Sequence, residues 1–258
     1  MEKVISDVWV FDGDDTQWTN GNQYSSAQAK FLAYIYEILG KHGPDLHTLK
    51  DKYFEIANTL FEEFGVRRGR VEREMLLTYR WAREFAQDRS GKIYTENLEH
   101  LKRIHQLGEE PFEYWELEWL PEVRSLLNIL RSSGHRLCLL TSYDKVLFPT
   151  RAEFLGLNDY FEPNHVRVIE FKKTTDDFIA VSGWTPETDA KHHWYALGNT
   201  DSDIDTALEI SPRWRGILVP FGTTSAYVGK TKKNDNPRIK VIDRINPDLH
   251  LQLISETS

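Results

Sequence analysis

The sequence predicts an α/β fold in which a mostly parallel sheet is interrupted, after its first strand, by a long all-helical insertion. Three observations carry this. The apolar, β-rich run Val8 to Phe11 stops abruptly at the acidic turn Asp12-Gly13-Asp14-Asp15. For about a hundred residues afterwards no strand-like run occurs, and apolar residues instead recur at spacings of three and four. From Pro121 onward, short apolar runs alternate with amphipathic stretches, the pattern of crossovers between parallel strands.

Val8 to Phe11 has no candidate partner before residue 120, so this strand must pair with strands encoded far downstream. Four helical stripes follow: Phe31, Leu32, Ile35, Ile38 and Leu39; Ile56, Leu60 and Phe64; Met75, Leu76, Tyr79 and Trp81 to Phe85; and Leu98, Leu101, Ile104 and His105. Gly40, Gly43-Pro44, Gly65, Gly69, Gly91 and Gly108 punctuate them as turns or caps. Beyond Pro121, Val123, Leu126, Leu127 and Leu130 form an amphipathic helix ending near Gly134. A strand from Arg136 to Thr141, a helix from Val146 to Leu155, the strand VRVIEF and a helix from Thr175 come next. The strand WYALG, a helix carrying Ile204, Ala207 and Leu208, and the strands GILVP and IKVID complete the order. Residues 229–238 read as a polar exposed loop.

Composition narrows the function. The chain of 258 residues carries 32 Lys and Arg against 40 Asp and Glu, a net charge of -8. That balance argues against general nucleic-acid binding, which needs a basic face to displace counterions. The single cysteine, Cys138, excludes a disulfide framework and a cysteine-based zinc site. No apolar run approaches the roughly 18 residues of a membrane span, and MEKVISD lacks a signal pattern. A cytoplasmic globular protein is expected.

In an open parallel sheet, ligands bind beyond the carboxyl ends of the strands, which singles out four loops. The first holds Asp12 and Asp14. Two carboxylates about 4 Å apart repel by roughly 4 kcal/mol at an effective dielectric of 20, unless a cation or proton is shared. The second holds Thr141 and Ser142, hydroxyls able to hold a phosphoryl oxygen. The third offers Lys172 and Lys173, and the fourth Gly198-Asn199-Thr200-Asp201-Ser202-Asp203, rich in oxygen ligands for a hard cation. Each loop alone is equally an acidic turn, a helix cap or a solvated surface. The chain order of acid pair, hydroxyl, lysine and acid, all at strand ends, is much harder to dismiss.

These residues resemble the haloacid dehalogenase-like (HAD) hydrolase superfamily. VWVFDGDDT resembles its first motif, an apolar strand followed by Asp-x-Asp-x-Thr. RLCLLTS resembles the second, EFKKTTDDF the lysine motif with Lys173 favoured over Lys172, and ALGNTDSDIDTALE the fourth. The resemblance covers about residues 4–18 and 118–225 and implies a Rossmann-like parallel-sheet core, residues 1–18 and 118–258, with an inserted all-helical cap domain, residues 19–117. It implies a Mg2+-dependent phosphatase acting on a small phosphomonoester. Asp12 would be the nucleophile and Asp14 the general acid and base. Thr141, Ser142 and Lys173 would bind the phosphoryl group, and Asp12, Asp14, Asn199 and Asp203 would hold Mg2+. Dehalogenases of the superfamily lack the second acid, because halide leaves unprotonated, so Asp14 points to phosphoryl transfer.

Two positions depart from the family pattern. Asn199 stands where an acid is usual, which implies weaker Mg2+ binding, with Asp201 as an alternative ligand. Asp15 stands where Gly is frequent. A phosphomutase on a sugar phosphate, and a ligand-binding module with weakened catalysis, are the alternatives. Arg67, Arg68, Arg70 and Arg73 could meet a second anionic group, although a solvated helix face is the plainer reading. Trp18, Tyr24 and Trp81 could line a substrate pocket, although packing suits an aromatic content of 12% better. His42, His47, His105, His192 and His193 lack metal-ligand spacing.

Overall fold

The computed structural model describes residues 7–19, 23–113, 117–219 and 236–249, so residues 229–235 of the expected polar loop lie outside it. In chain order the elements begin with strands β1 (Val8–Phe11) and β2 (Trp18–Thr19). Helices α1 (Gln23–Leu39), α2 (Leu46–Phe64), α3 (Arg70–Ser90) and α4 (Leu98–Glu113) come next. Then follow β3 (Glu118–Trp119), α5 (Val123–Ser132), β4 (Arg136–Ser142), α6 (Phe148–Leu155) and β5 (Val166–Ile169). The chain continues through α7 (Thr175–Ser182), α8 (Pro186–Asp189), β6 (Trp194–Gly198), α9 (Asp201–Leu208), β7 (Trp214–Leu218) and β8 (Ile239–Val241). It divides into two compact units, Met1–Gly21 with Leu117–Ser258, and Asn22–Glu116.

The first unit is built on a six-stranded parallel sheet of order β5-β4-β1-β6-β7-β8. The first-encoded strand is thus central, between two strands encoded more than a hundred residues later. Every residue of β1 and β6 is buried, because a central parallel strand is covered on both faces and reads as an unbroken apolar run. Alternation still divides the faces. Val8 and Val10 join a core with Cys138, Ile204, Trp194 and Trp214, whose two indoles stack at 5.5 Å. Trp9 turns to the other face and stacks on Tyr195 at 4.5 Å. In α5, the spacing of Val123, Leu126, Leu127 and Leu130 puts all four on one buried face. Burying each is worth roughly 2 kcal/mol. Helix α9 lies so close to β7 that a Cβ on Gly216 would meet Ile204 Cγ2 at 2.0 Å.

The register aligns Phe11 with Leu139 of β4 and with Leu197 of β6. The residues that follow these strands therefore emerge together along one edge of the sheet. The sequence pattern did not predict the antiparallel pair β2–β3, in which Trp18 faces Trp119 and Thr19 faces Glu118. Two-residue strands are too short to show a period.

The second unit is helical. Phe31 and Ile35 of α1, Leu49 of α2, Met75, Ala82 and Ala86 of α3, and Ile104 and Leu107 of α4 are fully enclosed. The stripe expected for α4 needs correction: Leu98 is 64% exposed, and the buried face is Ile104, Leu107, Gly108, Pro111 and Phe112. Glu74 of α3 is buried between the Tyr53 hydroxyl, which donates at 2.9 Å, and Arg70 at 2.7 Å. Burial pushes its carboxyl up, and Arg70 and Tyr53 partly offset that. Among the described residues, no helix is long and apolar enough to cross a membrane.

Candidate active site

Asp12 immediately follows β1, and its N–H still donates to Leu197 O of β6 at 2.8 Å, so its backbone is held by the sheet ladder. The chain then makes a tight turn in which Gly13 O accepts from Thr16 N at 3.2 Å and from Gln17 N at 2.7 Å. This turn returns Thr16 and Gln17 to Asp12. The Thr16 hydroxyl donates to Asp12 Oδ2 at 2.9 Å, and Gln17 Nε2 donates to the Asp12 carbonyl at 2.9 Å. The other carboxylate oxygen, Oδ1, accepts from Lys173 Nζ at 2.5 Å. Both oxygens of Asp12 are thereby oriented by donors from two separate loops.

Lys173 lies between β5 and α7 with only 6% of its side chain exposed, and its Nζ also donates to Asp203 Oδ1 at 2.8 Å. Asp203 is the third residue of α9. Its Oδ2 accepts from the backbone N–H of Thr200 at 3.1 Å and from the Thr200 hydroxyl at 2.6 Å, a capping-box arrangement. One buried cation therefore serves two carboxylates that are far apart in sequence. The acid pair sharing it is Asp12 and Asp203, not Asp12 and Asp14.

Burial pushes the Asp12 carboxyl up to about 6; Lys173 pulls it down and Asp203 pushes it up again. Burial opposes the charge on Lys173, but Asp12 and Asp203 more than offset this and hold the ammonium protonated. Asp12 is therefore a carboxylate above about pH 6, with a permanent cation beside it.

Asp14, half-buried, accepts from the Trp18 indole Nε1 at 2.5 Å. Between them, Asp15 takes a positive φ of 56°, the left-handed region that glycine adopts most readily, and burial raises its carboxyl. Thr141 is fully buried, and its Oγ1 has no hydrogen-bond partner among the described residues. That hydroxyl lies beside the turn: a Cβ on Gly13 would come within 2.6 Å of it and of two ring atoms of Trp18. Only glycine fits between them.

No protein-family model and no curated protein matches this sequence. Solved structures do. A haloacid dehalogenase-like family hydrolase from Xanthomonas campestris is 19% identical, with 99% of this chain and 93% of that one covered and a TM-score of 0.66. A 2-haloacid dehalogenase from Pseudomonas syringae pv. Tomato DC3000 is 19% identical over 98% of this chain and 100% of that one, at a TM-score of 0.51. YfnB from Bacillus subtilis, solved bound to magnesium, is 16% identical over 98% of this chain and 99% of that one, at 0.50. The chain has the HAD-like fold.

Within this HAD-like fold, the structure gathers Asp12, Asp14, Thr141, Lys173 and Asp203 at one end of the sheet. Asn199, half-buried, directly follows β6. Ser142 is oriented differently from its neighbour: its hydroxyl donates to Phe171 O at 3.0 Å. Lys172 is exposed, and the lysine that reaches Asp12 is Lys173. Asp201 Oδ1 is buried with no hydrogen-bond partner among the described residues. Among the described residues, no group of three His, Cys, Asp or Glu is arranged to hold a metal.

Thr16 and Gln17 received no role from the sequence; the tight turn after Asp12 is what brings both back to it. Trp18 packs, as its composition suggested, but also bonds Asp14. In the helical unit, Arg68 bonds Glu109, Arg70 bonds Glu74, and Arg73 lies 4.5 Å from the centre of the Phe64 ring. Tyr24 packs edge-on against Phe112, and Trp81 packs against Phe85. His105 pairs with Glu72, and His193 with Asp7.

Proposed function

We propose that this chain is a Mg2+-dependent phosphatase that hydrolyses a small phosphomonoester through an aspartyl-phosphate intermediate. The observation that carries this is the Asp12 carboxylate, held on one oxygen by Lys173 and on the other by Thr16, two residues before a second acid. In this reading Asp12 attacks phosphorus, the bond to the ester oxygen breaks, and the departing alkoxide takes a proton from Asp14. Asp14, now a carboxylate, removes a proton from the water that attacks phosphorus, and Asp12 is released with inorganic phosphate. Lys173 balances charge on Asp12 as it changes from carboxylate to acyl phosphate, and Thr141 offers its unpaired hydroxyl to a phosphoryl oxygen. The 2-haloacid dehalogenase shows that this fold accommodates halide departure; Asp14 favours an alkoxide leaving group here.

The residues fit a hard divalent cation. Asp12, the Asp14 backbone carbonyl and Asn199 are all oxygen donors at the ends of neighbouring strands, and a magnesium-bound protein shares the fold. Asp203, like Asp12, bonds Lys173 through one oxygen and a threonine hydroxyl through the other, and would be a further ligand. Asp201 Oδ1, buried and without a partner among the described residues, makes Asp201 a further candidate ligand. When bound, Mg2+ would offset the negative charge of the site and of a dianionic substrate. Residues 19–117 would serve as the substrate-selecting cap of a cytoplasmic enzyme acting on a small phosphorylated metabolite.

The test is a panel of phosphorylated metabolites and an aryl phosphate, assayed with Mg2+ and with chelator, on the wild type and Asp12→Asn. Phosphate release that needs Mg2+ and is lost in Asp12→Asn is expected. Turnover surviving in Asp12→Asn would overturn the nucleophile. An isomerised product without phosphate release would replace hydrolysis by mutase chemistry, and no turnover at all would favour a ligand-binding module.

A further inference from the structure

Trp18 occupies an unusual position between the turn that carries both acids and the β2–β3 ribbon. It is 2% exposed, and its ring lies directly over Gly13. Its carbonyl accepts from Asp15 N at 2.7 Å while its indole Nε1 donates to Asp14 Oδ1 at 2.5 Å. The residue thus grips the turn from both its backbone and its side chain. The ring in turn meets Trp119, its partner in the ribbon, edge-on at 6.3 Å. The Trp119 indole donates to Leu155 O at the end of α6, at 3.0 Å. A carboxylate in a surface turn ordinarily rotates freely about its terminal bond; Asp14 is bonded to an indole that is itself buried.

We infer that Trp18 is the positioning residue of the general acid, its indole holding Oδ1 and so setting where the Asp14 carboxyl stands. This rests on the phosphatase reading above, with Asp14 protonating the leaving group. Mispositioning an acid by about 1 Å can cost about a hundredfold in rate.

The experiment uses Trp18→Phe, which keeps an aromatic ring at this position and removes the donor together with the outer ring atoms beside Gly13. Its kcat/KM is compared for an alkyl phosphate, whose leaving group needs a proton, and for 2,4-dinitrophenyl phosphate, whose leaving group does not. A loss of about 10- to 100-fold for the alkyl ester, with less than about threefold for the dinitrophenyl ester, is expected. In an Asp14→Asn background the same substitution should cost nothing further. Equal losses for both esters, or full additivity with Asp14→Asn, would overturn the inference. So would an indole N–H resonance of Trp18 that is the same in the wild type and in Asp14→Ala, which removes the acceptor, a readout that needs no folded Trp18→Phe protein and no turnover. A wild type inactive on both esters would refute the phosphatase reading instead.

Discussion

Replacing Lys173 by Met isolates the electrostatics of the buried acid pair. The side chain stays long and apolar, while Asp12 and Asp203 lose the cation that bonds both. In the wild type, the rise of Asp12 from 3.8 to about 6 costs the fold about 3 kcal/mol at about pH 7.5, taking about 1.4 kcal/mol per pH unit. The sign follows from the direction of the shift. The folded protein binds this proton more tightly than the unfolded chain, so the cost is full above the folded value and disappears below 3.8. A buried carboxylate with no cation escapes by staying protonated. Measured from 3.8, that costs at most about 5 kcal/mol at about pH 7.5. Lys173→Met should therefore destabilise the fold by up to about 2 kcal/mol through Asp12 at about pH 7.5, and by almost nothing at about pH 5, where Asp12 is largely protonated in both proteins. Urea unfolding of both proteins at the two pH values, followed by tryptophan fluorescence, measures the difference. A destabilisation equal at both pH values, or larger at the lower one, would refute the reasoning, because only ionised carboxylates need the cation.

Two further outcomes test the site without touching either acid. Thr141→Val preserves shape and removes a buried hydroxyl that has no partner among the described residues, so unfolding should change by less than about 1 kcal/mol while kcat/KM on a phosphomonoester falls by about 10- to 100-fold. Steady-state kinetics beside thermal unfolding would show whether stability and activity separate in this way. Asn199→Asp restores a charged oxygen ligand, and the Mg2+ concentration needed for half-maximal turnover should fall by about tenfold. Titration of the protein with Mn2+ followed by electron paramagnetic resonance gives the same comparison without turnover, and an unchanged affinity would place Asn199 outside the cation site.

That the first strand pairs with strands encoded far downstream was inferable, because a buried strand needs partners and none precedes residue 120. Val8 to Phe11 could only be satisfied by partners on both sides, and those partners are encoded after residue 121. The helical stretches were legible from their spacing, except in α4, where Leu98 and His105 continued the pattern on a face turned to solvent. Between adjacent candidates, sequence could not choose by itself. Neighbouring residues of a strand point to opposite sides, so Thr141 and Ser142 cannot both face Asp12, and composition does not say which one does. Lys173 shows the same limit: its reach to Asp12 and Asp203 is set by where three loops end in space.

The residue types of the candidate site, and their placement at strand ends, were written in the order of the amino acids, because hydrophobic runs locate strands and strands locate their terminal loops. What only the folded chain decided is who pairs with whom. The sharing of one lysine by Asp12 and Asp203, the unpaired hydroxyl of Thr141 and the indole bond to Asp14 are contacts between segments distant in sequence or across a tight turn. Hydrogen bonds and ion pairs depend on separations of a few tenths of an ångström, and such distances exist only after the sheet has brought those segments together.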